Sequence, residues 1–395
     1  MERNQKEIQE KLQRKMEEEG FDALLLTRPE SIRYATGVTS AFMYLNIPIG
    51  NVIGIVPKTG NAAVVMSEFE GNAAKIDSPE IDVLGYPIFV YIADFDANGR
   101  MKDSQPNTDK AFHMAAEFIK EKLGAVKKIG VERPMFPYDR MLFLQEQFGE
   151  EVPQDCTQLL KDVTKFKTAW EIEVLRKNAQ ASQRAMSYVA KHTEIGMDEQ
   201  DILLLMNQGL VNEGKGFCST RQCNVVGEQF SPIYLPHTCY KLKEGDTVRL
   251  DGGINSNSYS SDISRTYFVG NKVSDERLKI WNILHDTFEK VFAMIGPGVR
   301  ICDIFKAAED NVKTVIPEYH RGHFGHSVGC YVWWEEYPTV SRHDTNCLEP
   351  GMVMNLEIPY YSSYNNSYNF EDTFLVTETG IDRFTRHSDD IYWRD

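Results

Sequence analysis

No stretch of this chain approaches the roughly 20 consecutive apolar residues that a bilayer span requires, so a membrane-embedded protein is not expected. A secretory leader is not expected either: Met1-Glu2-Arg3-Asn4-Gln5-Lys6 is charged at once and leads into no apolar run. Positive charge is in short supply, with 43 Lys and Arg against 58 Asp and Glu and a net charge of −15. Phosphate backbones and anionic headgroups would not be attracted to such a surface, which argues against nucleic-acid and membrane partners. Cysteine pairs are absent as well. Cys156, Cys218, Cys223, Cys239, Cys302, Cys330 and Cys347 form no CxxC, and the spacing of Cys218 and Cys223 suits neither a zinc knuckle nor a redox motif. They read as reduced thiols in a cytoplasmic protein.

What is present is a chain of 395 residues, too long for one ordinary core, so two domains are expected. A charged amphipathic helix over 2–20 is followed by strands over 22–27, 50–57 and 61–66, a helix over 108–123 and a strand over 128–132. That order implies a small α/β domain, with 88–107 as a loop over one edge. Composition changes near Val152-Pro-Gln-Asp-Cys156, which places the domains at 1–158 and 159–395. The second part opens on a helix from Trp170 to about His192. A helix over 198–213 follows, then strands, helices over 275–294 and 301–317, and more strands.

The chemistry is concentrated in two hairpins. Asn255-Ser256-Asn257-Ser258 is a turn-forming cluster between β-rich runs, and centring the turn between Ser256 and Asn257 sets Asp251 opposite Asp262. Facing residues have Cβ atoms about 4.5–5.5 Å apart, so two buried carboxylates there repel unless a cation lies between them. Glu357 and Glu371 are symmetric about Tyr364 and face each other in the same way. Between the hairpins, His323-Phe-Gly-His326-Ser-Val-Gly329 supplies an imidazole. Singly, each residue has a duller reading: an Asp in a hairpin is usually a turn residue, and a histidine after Gly is usually a hydrogen-bonded core residue. Together they offer four carboxylates and one nitrogen, enough charge to balance two divalent cations, and an oxygen-rich set of this kind suits manganese, iron, cobalt or zinc. Two such ions equip a hydrolase.

Leu250-Asp-Gly-Gly, Ser261-Asp-Ile-Ser-Arg-Thr266, His323 to Gly329, Leu348 to Glu357 and Phe370-Glu-Asp-Thr-Phe-Leu-Val-Thr377 together resemble, in order, the pita-bread metallopeptidases. That family includes the proline-specific aminopeptidases, prolidase, methionine aminopeptidase and creatinase. The N-terminal part is similar to the creatinase-type N-terminal domain, and Lys165-Phe-Lys-Thr-Ala-Trp-Glu-Ile172 to the lead-in of the catalytic domain. The resemblance implies an α+β pita-bread catalytic domain behind a smaller α/β domain. It implies Asp251, Asp262, His326, Glu357 and Glu371 as ligands of two divalent ions, manganese first, with cobalt, zinc or iron also accepted. Asp262 and Glu371 would bridge them. It further implies His237, in Leu235-Pro-His-Thr, as a group lining the substrate site. Glu357 would shuttle protons, His323 would be catalytic or structural, and the assembly would be a homodimer.

Two positions depart from the pattern. The second catalytic histidine expected seven residues after His326 falls on Trp333, or on Trp334 if the match slips by one, and the Arg expected two residues before Glu371 is Asn369. Glu335, His237 or a metal-bridged hydroxide would then have to carry the proton traffic. Three functions stay open. One is an Xaa-Pro dipeptidase or aminopeptidase that cleaves an amide C–N bond in a small peptide by metal-bridged hydroxide attack. The second acts on a small non-peptide metabolite, in the manner of creatinase, ectoine hydrolase or a dimethylsulfoniopropionate lyase. For this one, Trp333, Trp334, Tyr331, Tyr360, Tyr361, Tyr364 and Tyr368 would form an aromatic wall for a cationic substrate, unless they fill a core or a dimer interface. The third is a non-catalytic binding protein on the same fold.

Overall fold

The computed structural model describes residues 3–43, 51–88, 109–214, 218–222, 224–228, 240–331, 335–362 and 364–393. It divides into two compact units, Met1–Thr164 and Lys165–Asp395. A junction after residue 158 would cut the helix Thr157–Thr164, which stays whole in the first unit.

The first unit is built on a six-stranded sheet of β1 (Ala23–Leu26), β2 (Ile53–Pro57), β3 (Ala63–Ser67), β4 (Asp82–Tyr86), β5 (Ile129–Val131) and β6 (Pro153–Asp155), in the order β4-β3-β2-β1-β5-β6. β1 runs antiparallel to β2 and parallel to β5. The opening helix spans Gln5–Glu19, where Asn4 caps its first turn and Gly20 ends it at φ 75°. Ile8, Leu12 and Met16 recur on its buried face, as their spacing requires. The helix Lys110–Leu123 covers the sheet with Phe112, Ala115 and Ile119. Several elements have no counterpart in the sequence reading: β4, β6 and the helices Pro29–Thr36, Glu68–Asp77 and Tyr138–Phe148. Most are short, and β4 is only partly buried along most of its length, so its apolar alternation is weak. Of the expected loop over 88–107, all but Ile88 lies outside the described residues.

The second unit opens with Ala169–His192, started by a reciprocal capping box between Thr168 and Glu171, and Glu199–Glu213, started by one between Asp198 and Asp201. Its main sheet comprises β7 (Cys218–Gln222), β8 (Val225–Val226), β9 (Thr247–Ser256), β10 (Tyr259–Ser260), β11 (Ile263–Phe268), β12 (His323–Ser327), β13 (Glu336–Ser341) and β14 (Val353–Glu357), and further on β17 (Glu371–Val376) and β18 (Ile381–Arg383). The short pair β15 (Tyr360–Tyr361) and β16 (Ser367–Tyr368) lies between β14 and β17 in the chain. The sheet path runs β10-β9-β11-β17-β14-β12-β13. Strand alternation sorts the two faces. Met354, Leu356, Phe370 and Phe374 pack with the helices Asp275–Phe292 and Ile301–Lys313 in one apolar core. The residues between them, Asn355, Glu357, Asn369, Glu371 and Thr373, therefore point to the opposite face.

Candidate metal centre

The first hairpin turns one residue later than its sequence suggests. Asn257 and Ser258, at φ 51° and 67°, form its two-residue turn. Two left-handed central residues match the twist of the flanking strands, so the register pairs Asp251 with Ser264. The expected face-to-face pairing of Asp251 and Asp262 is thus corrected: Asp262 sits in the break between β10 and β11, two residues from Ser264. A shift of two keeps every side chain on its original face. The backbones close tightly there, since a Cβ on Gly253 would overlap the Ser261 carbonyl oxygen. The second hairpin follows its expected register, with Glu357 opposite Glu371.

The two hairpins join through β11 and β17, which pair Ser264 with Glu371. One row across four strands therefore reads Asp251, Ser264, Glu371, Glu357, with Asp262 one step along on the same face. His326 enters from β12, on the far side of β14. Ligand atoms of Asp262, His326 and Glu371 lie within 4.8 Å of one another, and His326 Nε2 is 3.7 Å from Asp262 Oδ2. The other ring nitrogen of His326, Nδ1, lies 2.9 Å from the Ser327 carbonyl. A proton on Nδ1 makes that contact a hydrogen bond and leaves the Nε2 lone pair facing the carboxylates.

The electrostatics are those of a centre short of positive charge. Burial, then the charges of Asp262, Glu357 and Asp251, push the Glu371 carboxyl well above its ordinary range. For Glu357, burial acts in the same direction, but the hydrogen bond from His323 and the charge of Arg321 outweigh it and hold the group low. His323 Nδ1 stands 3.1 Å from Glu357 Oε1, and its Nε2 stands 3.3 Å from Glu335 Oε2. Burial lowers the affinity of His323 for a proton, yet Glu357 and Glu335 raise it on balance. Hard carboxylate oxygens around one imidazole, with one carboxylate pushed toward its acid form by its neighbours, fit divalent cations.

Asn369 takes its place in this site, donating from Nδ2 to Asp251 Oδ2 at 3.4 Å. The described tyrosines of the expected aromatic wall do not line one surface together. Tyr368 is fully buried in the core and Tyr360 packs against it, while Tyr364 is 81% exposed. Tyr361 lies close to site groups, with the guanidinium carbon of Arg249 4.7 Å from its ring centre. Tyr331 is partly buried, and its backbone N–H donates to Glu336 Oε1 at 2.8 Å. His237, Trp333 and Trp334 lie outside the described residues.

Several site residues escaped the sequence reading. Asn355 Nδ2 donates to Glu371 Oε1 at 2.8 Å, and Thr373 Oγ1 donates to Asn355 Oδ1 at 2.7 Å. Arg249 Nε is 3.9 Å from Asp251 Oδ2, and Arg321 Nη2 is 3.5 Å from Glu357 Oε1. A usable signal existed for two of them: Arg249 and Asn355 precede Asp251 and Glu357 by two positions, which is the same face of a strand. Behind His326, Lys167 Nζ donates to Ser327 Oγ at 2.7 Å and pairs with Glu336 at 3.4 Å.

A fold and a carboxylate–imidazole centre of this kind define a metallohydrolase, and the chain belongs to metallopeptidase family M24, whose model matches residues 173–378. Membership of that family implies divalent metal ions. The Creatinase/Prolidase N-terminal domain model matches residues 9–163. Among its relatives is the Xaa-Pro dipeptidase of Pyrococcus horikoshii, 24% identical over 87% of this chain and 97% of the relative. The Xaa-Pro dipeptidase of Pyrococcus furiosus is also 24% identical, over 96% and 98%. In fold, the chain is similar to the Xaa-Pro dipeptidase from Bacillus anthracis, with TM-score 0.80, 21% identity and coverage of 98% and 99%. No helix among the described residues is long and apolar enough to cross a membrane.

Proposed function

We propose that the chain is an Xaa-Pro dipeptidase whose centre consists of Asp251, Asp262, His326, Glu357 and Glu371 around two divalent cations, manganese first. The observation that carries this reading is the single row Asp251, Ser264, Glu371, Glu357, which crowds carboxylates onto one sheet face beside His326. Curated relatives that span nearly the whole chain and are named Xaa-Pro dipeptidase support the substrate class.

When bound, the two cations would supply Lewis acidity toward the scissile carbonyl and make water a competent nucleophile near neutral pH. The chain's own residues do the rest. Glu357 accepts the proton released from the nucleophilic water and returns it to the leaving nitrogen. His323, 3.1 Å from Glu357 Oε1, favours the ionised form of that carboxylate before the first transfer and orients it for both. Asn355 holds Glu371 by one oxygen, which leaves the other directed into the centre. We place His237 at the substrate, the enzyme in the cytoplasm and its assembly as a homodimer.

The decisive experiment incubates manganese-loaded protein with an Xaa-Pro dipeptide panel and, separately, with creatine-like and ectoine-like compounds. Release of free proline from the dipeptides, abolished in Glu357→Gln, is expected. Turnover of the small compounds with inert dipeptides would transfer the site to a metabolite, and no turnover of any compound by a protein that binds two ions would make it a binding protein.

A further inference from the structure

Lys167 and Glu336 form an ion pair almost out of reach of water: their side chains are 1% and 4% exposed, and Nζ lies 3.4 Å from Oε2. Such a pair adds little net stability, because desolvation of both charges offsets their attraction, and its best-attested use is to fix one register against others. Register is what is at stake here. Between β12 and β13, His326 pairs with Thr339 while the next residue, Ser327, pairs with Glu336. Three steps on β13 thus answer one step on β12. On its other side β12 is matched to β14 at Ser327, opposite Met354, whereas β14 meets β17 residue for residue from Val353 to Glu357. A bulge of this kind bends the strands and re-aims the side chains beside it. The strand that carries the imidazole is therefore held less firmly by its ladder than the strands that carry Glu357 and Glu371.

The buried pair stands where that ladder is broken. Lys167 Nζ donates to Ser327 Oγ at 2.7 Å, and Ser327 Oγ donates in turn to the Val353 carbonyl at 3.1 Å. Glu336 Oε1 accepts the Tyr331 N–H at 2.8 Å, and the N–H of Lys167 itself donates to the Gly351 carbonyl at 2.9 Å. One ammonium thus ties together the lead into β14, the end of β12 and the start of β13. The approach is close enough to require glycine at 329, where a Cβ would lie 2.7 Å from Glu336 Oε2 and 3.1 Å from Lys167 Cε. Ser327 also orients the ring, since its carbonyl lies 2.9 Å from His326 Nδ1. The residue that Lys167 grips therefore sets both the backbone from which the imidazole departs and the direction of its Nε2, 3.7 Å from Asp262 Oδ2.

We propose that Lys167, paired with Glu336, is a positioning residue for His326: it locks Ser327 and so holds the imidazole Nε2 on the metal centre. The inference rests on the reading of Asp251, Asp262, His326, Glu357 and Glu371 as ligands of two divalent cations. A neutral imidazole that donates from Nδ1 offers one lone pair, so one cation draws on it and the other is held by carboxylates. Loss of the lock weakens the first and spares the second.

The test is a cobalt(II) titration of the metal-free protein, followed by calorimetry and visible absorption. It compares wild type with Ser327→Ala and with Lys167→Met combined with Glu336→Gln, which leaves no lone charge buried. His326→Ala, alone and combined with Ser327→Ala, completes a double-mutant cycle. Wild type should bind two ions. In both lock variants the affinity for one ion should fall roughly tenfold to a hundredfold, as when a partner behind a metal ligand is removed. Its visible band should change as well, while the other ion binds as before. In the absence of His326, Ser327→Ala should cost no further affinity, because the lock acts through the imidazole. Equal weakening of both ions, unchanged affinity for both, or a further loss without His326 would overturn the lock and leave the pair a structural role. The selective loss in a protein that cleaves no peptide supports the lock and rejects the peptidase reading. A wild type that binds fewer than two ions refutes the ligand set and the lock with it.

Discussion

Replacing Glu371 by Gln should stabilise the metal-free protein and destabilise the metal-loaded one relative to wild type. Ligand atoms of Asp262 and Glu371 lie within 4.8 Å of each other, and two unit charges at that distance repel by about 3 kcal/mol at an effective dielectric of roughly 20. Uptake of a proton by Glu371 relieves part of that repulsion. The gain left for the neutral amide is therefore about 1–2 kcal/mol. The amide oxygen still accepts from Asn355 Nδ2, so no new buried polar group is orphaned. With manganese at a hundredfold excess over its dissociation constant, wild type should gain about 2.7 kcal/mol that the variant largely forgoes. All five tryptophans (Trp170, Trp281, Trp333, Trp334 and Trp393) belong to the second unit, so tryptophan fluorescence in urea reports that unit alone. At a slope of roughly 2–3 kcal/mol per molar, the variant midpoint should lie about 0.5 M above wild type without metal and below it with metal. A variant that is less stable without metal, or that gains as much from manganese as wild type does, would refute the idea that uncompensated charge dominates this site.

Three further substitutions probe the framework. Asp372 is fully buried, with Arg265 Nη2 at 2.6 Å and Arg383 Nη2 at 2.8 Å, and Arg265 Nη1 also donates to the Glu371 carbonyl at 2.7 Å. Asp372→Ala strands a buried guanidinium and should cost about 3–5 kcal/mol by the same urea assay; a loss under about 1 kcal/mol would show the network to be dispensable. Ser258→Gly, at φ 67° in the tight turn, should raise the unfolding free energy by about 0.5–1 kcal/mol without altering metal stoichiometry. In the first unit, burial pushes the Glu132 carboxyl up to about 7 from 4.5, against the pull of Ser31 and Arg28. The unfolded chain ionises first, so this unit is at full stability below about pH 4.5, loses up to about 3 kcal/mol by pH 7 and is level above. Glu132→Gln should remove that slope in amide exchange over β5, and an unchanged slope would assign it to other groups.

Much of the site can be read from side-chain periodicity alone. Glu357 and Glu371 are equidistant from Tyr364, and their pairing follows because the connection between them keeps that symmetry. Asp251 and Asp262 offered the same symmetry, but Asn255-Ser256-Asn257-Ser258 provides several places to turn, and the backbone turns at Asn257 and Ser258, both at positive φ. The error amounts to two positions on the partner strand, and a strand repeats its facing direction every two. A slip of one would have sent Asp262 into the apolar core among Phe370 and Leu356.

What periodicity does not show is which hairpin lies beside which. Sequence spacing places each carboxylate pair in its own hairpin and stops there, and the centre exists only because β11 accepts β17 as a neighbour. That junction is held from the other face, where Arg265 reaches Asp372 across 107 residues of chain and takes the Glu371 carbonyl in the same grip. Neither residue resembles a ligand, and both are fully buried, as a fastening must be if it is to hold like charges together before any cation arrives. Loss of the fastening and loss of the charge should therefore act in opposite directions on the metal-free protein. Asp372→Ala weakens the frame that forces the carboxylates together, while Glu371→Gln removes the repulsion the frame has to withstand. Combined in one chain, the two changes should give a smaller destabilisation than Asp372→Ala alone, because the weakened frame then has less repulsion to resist.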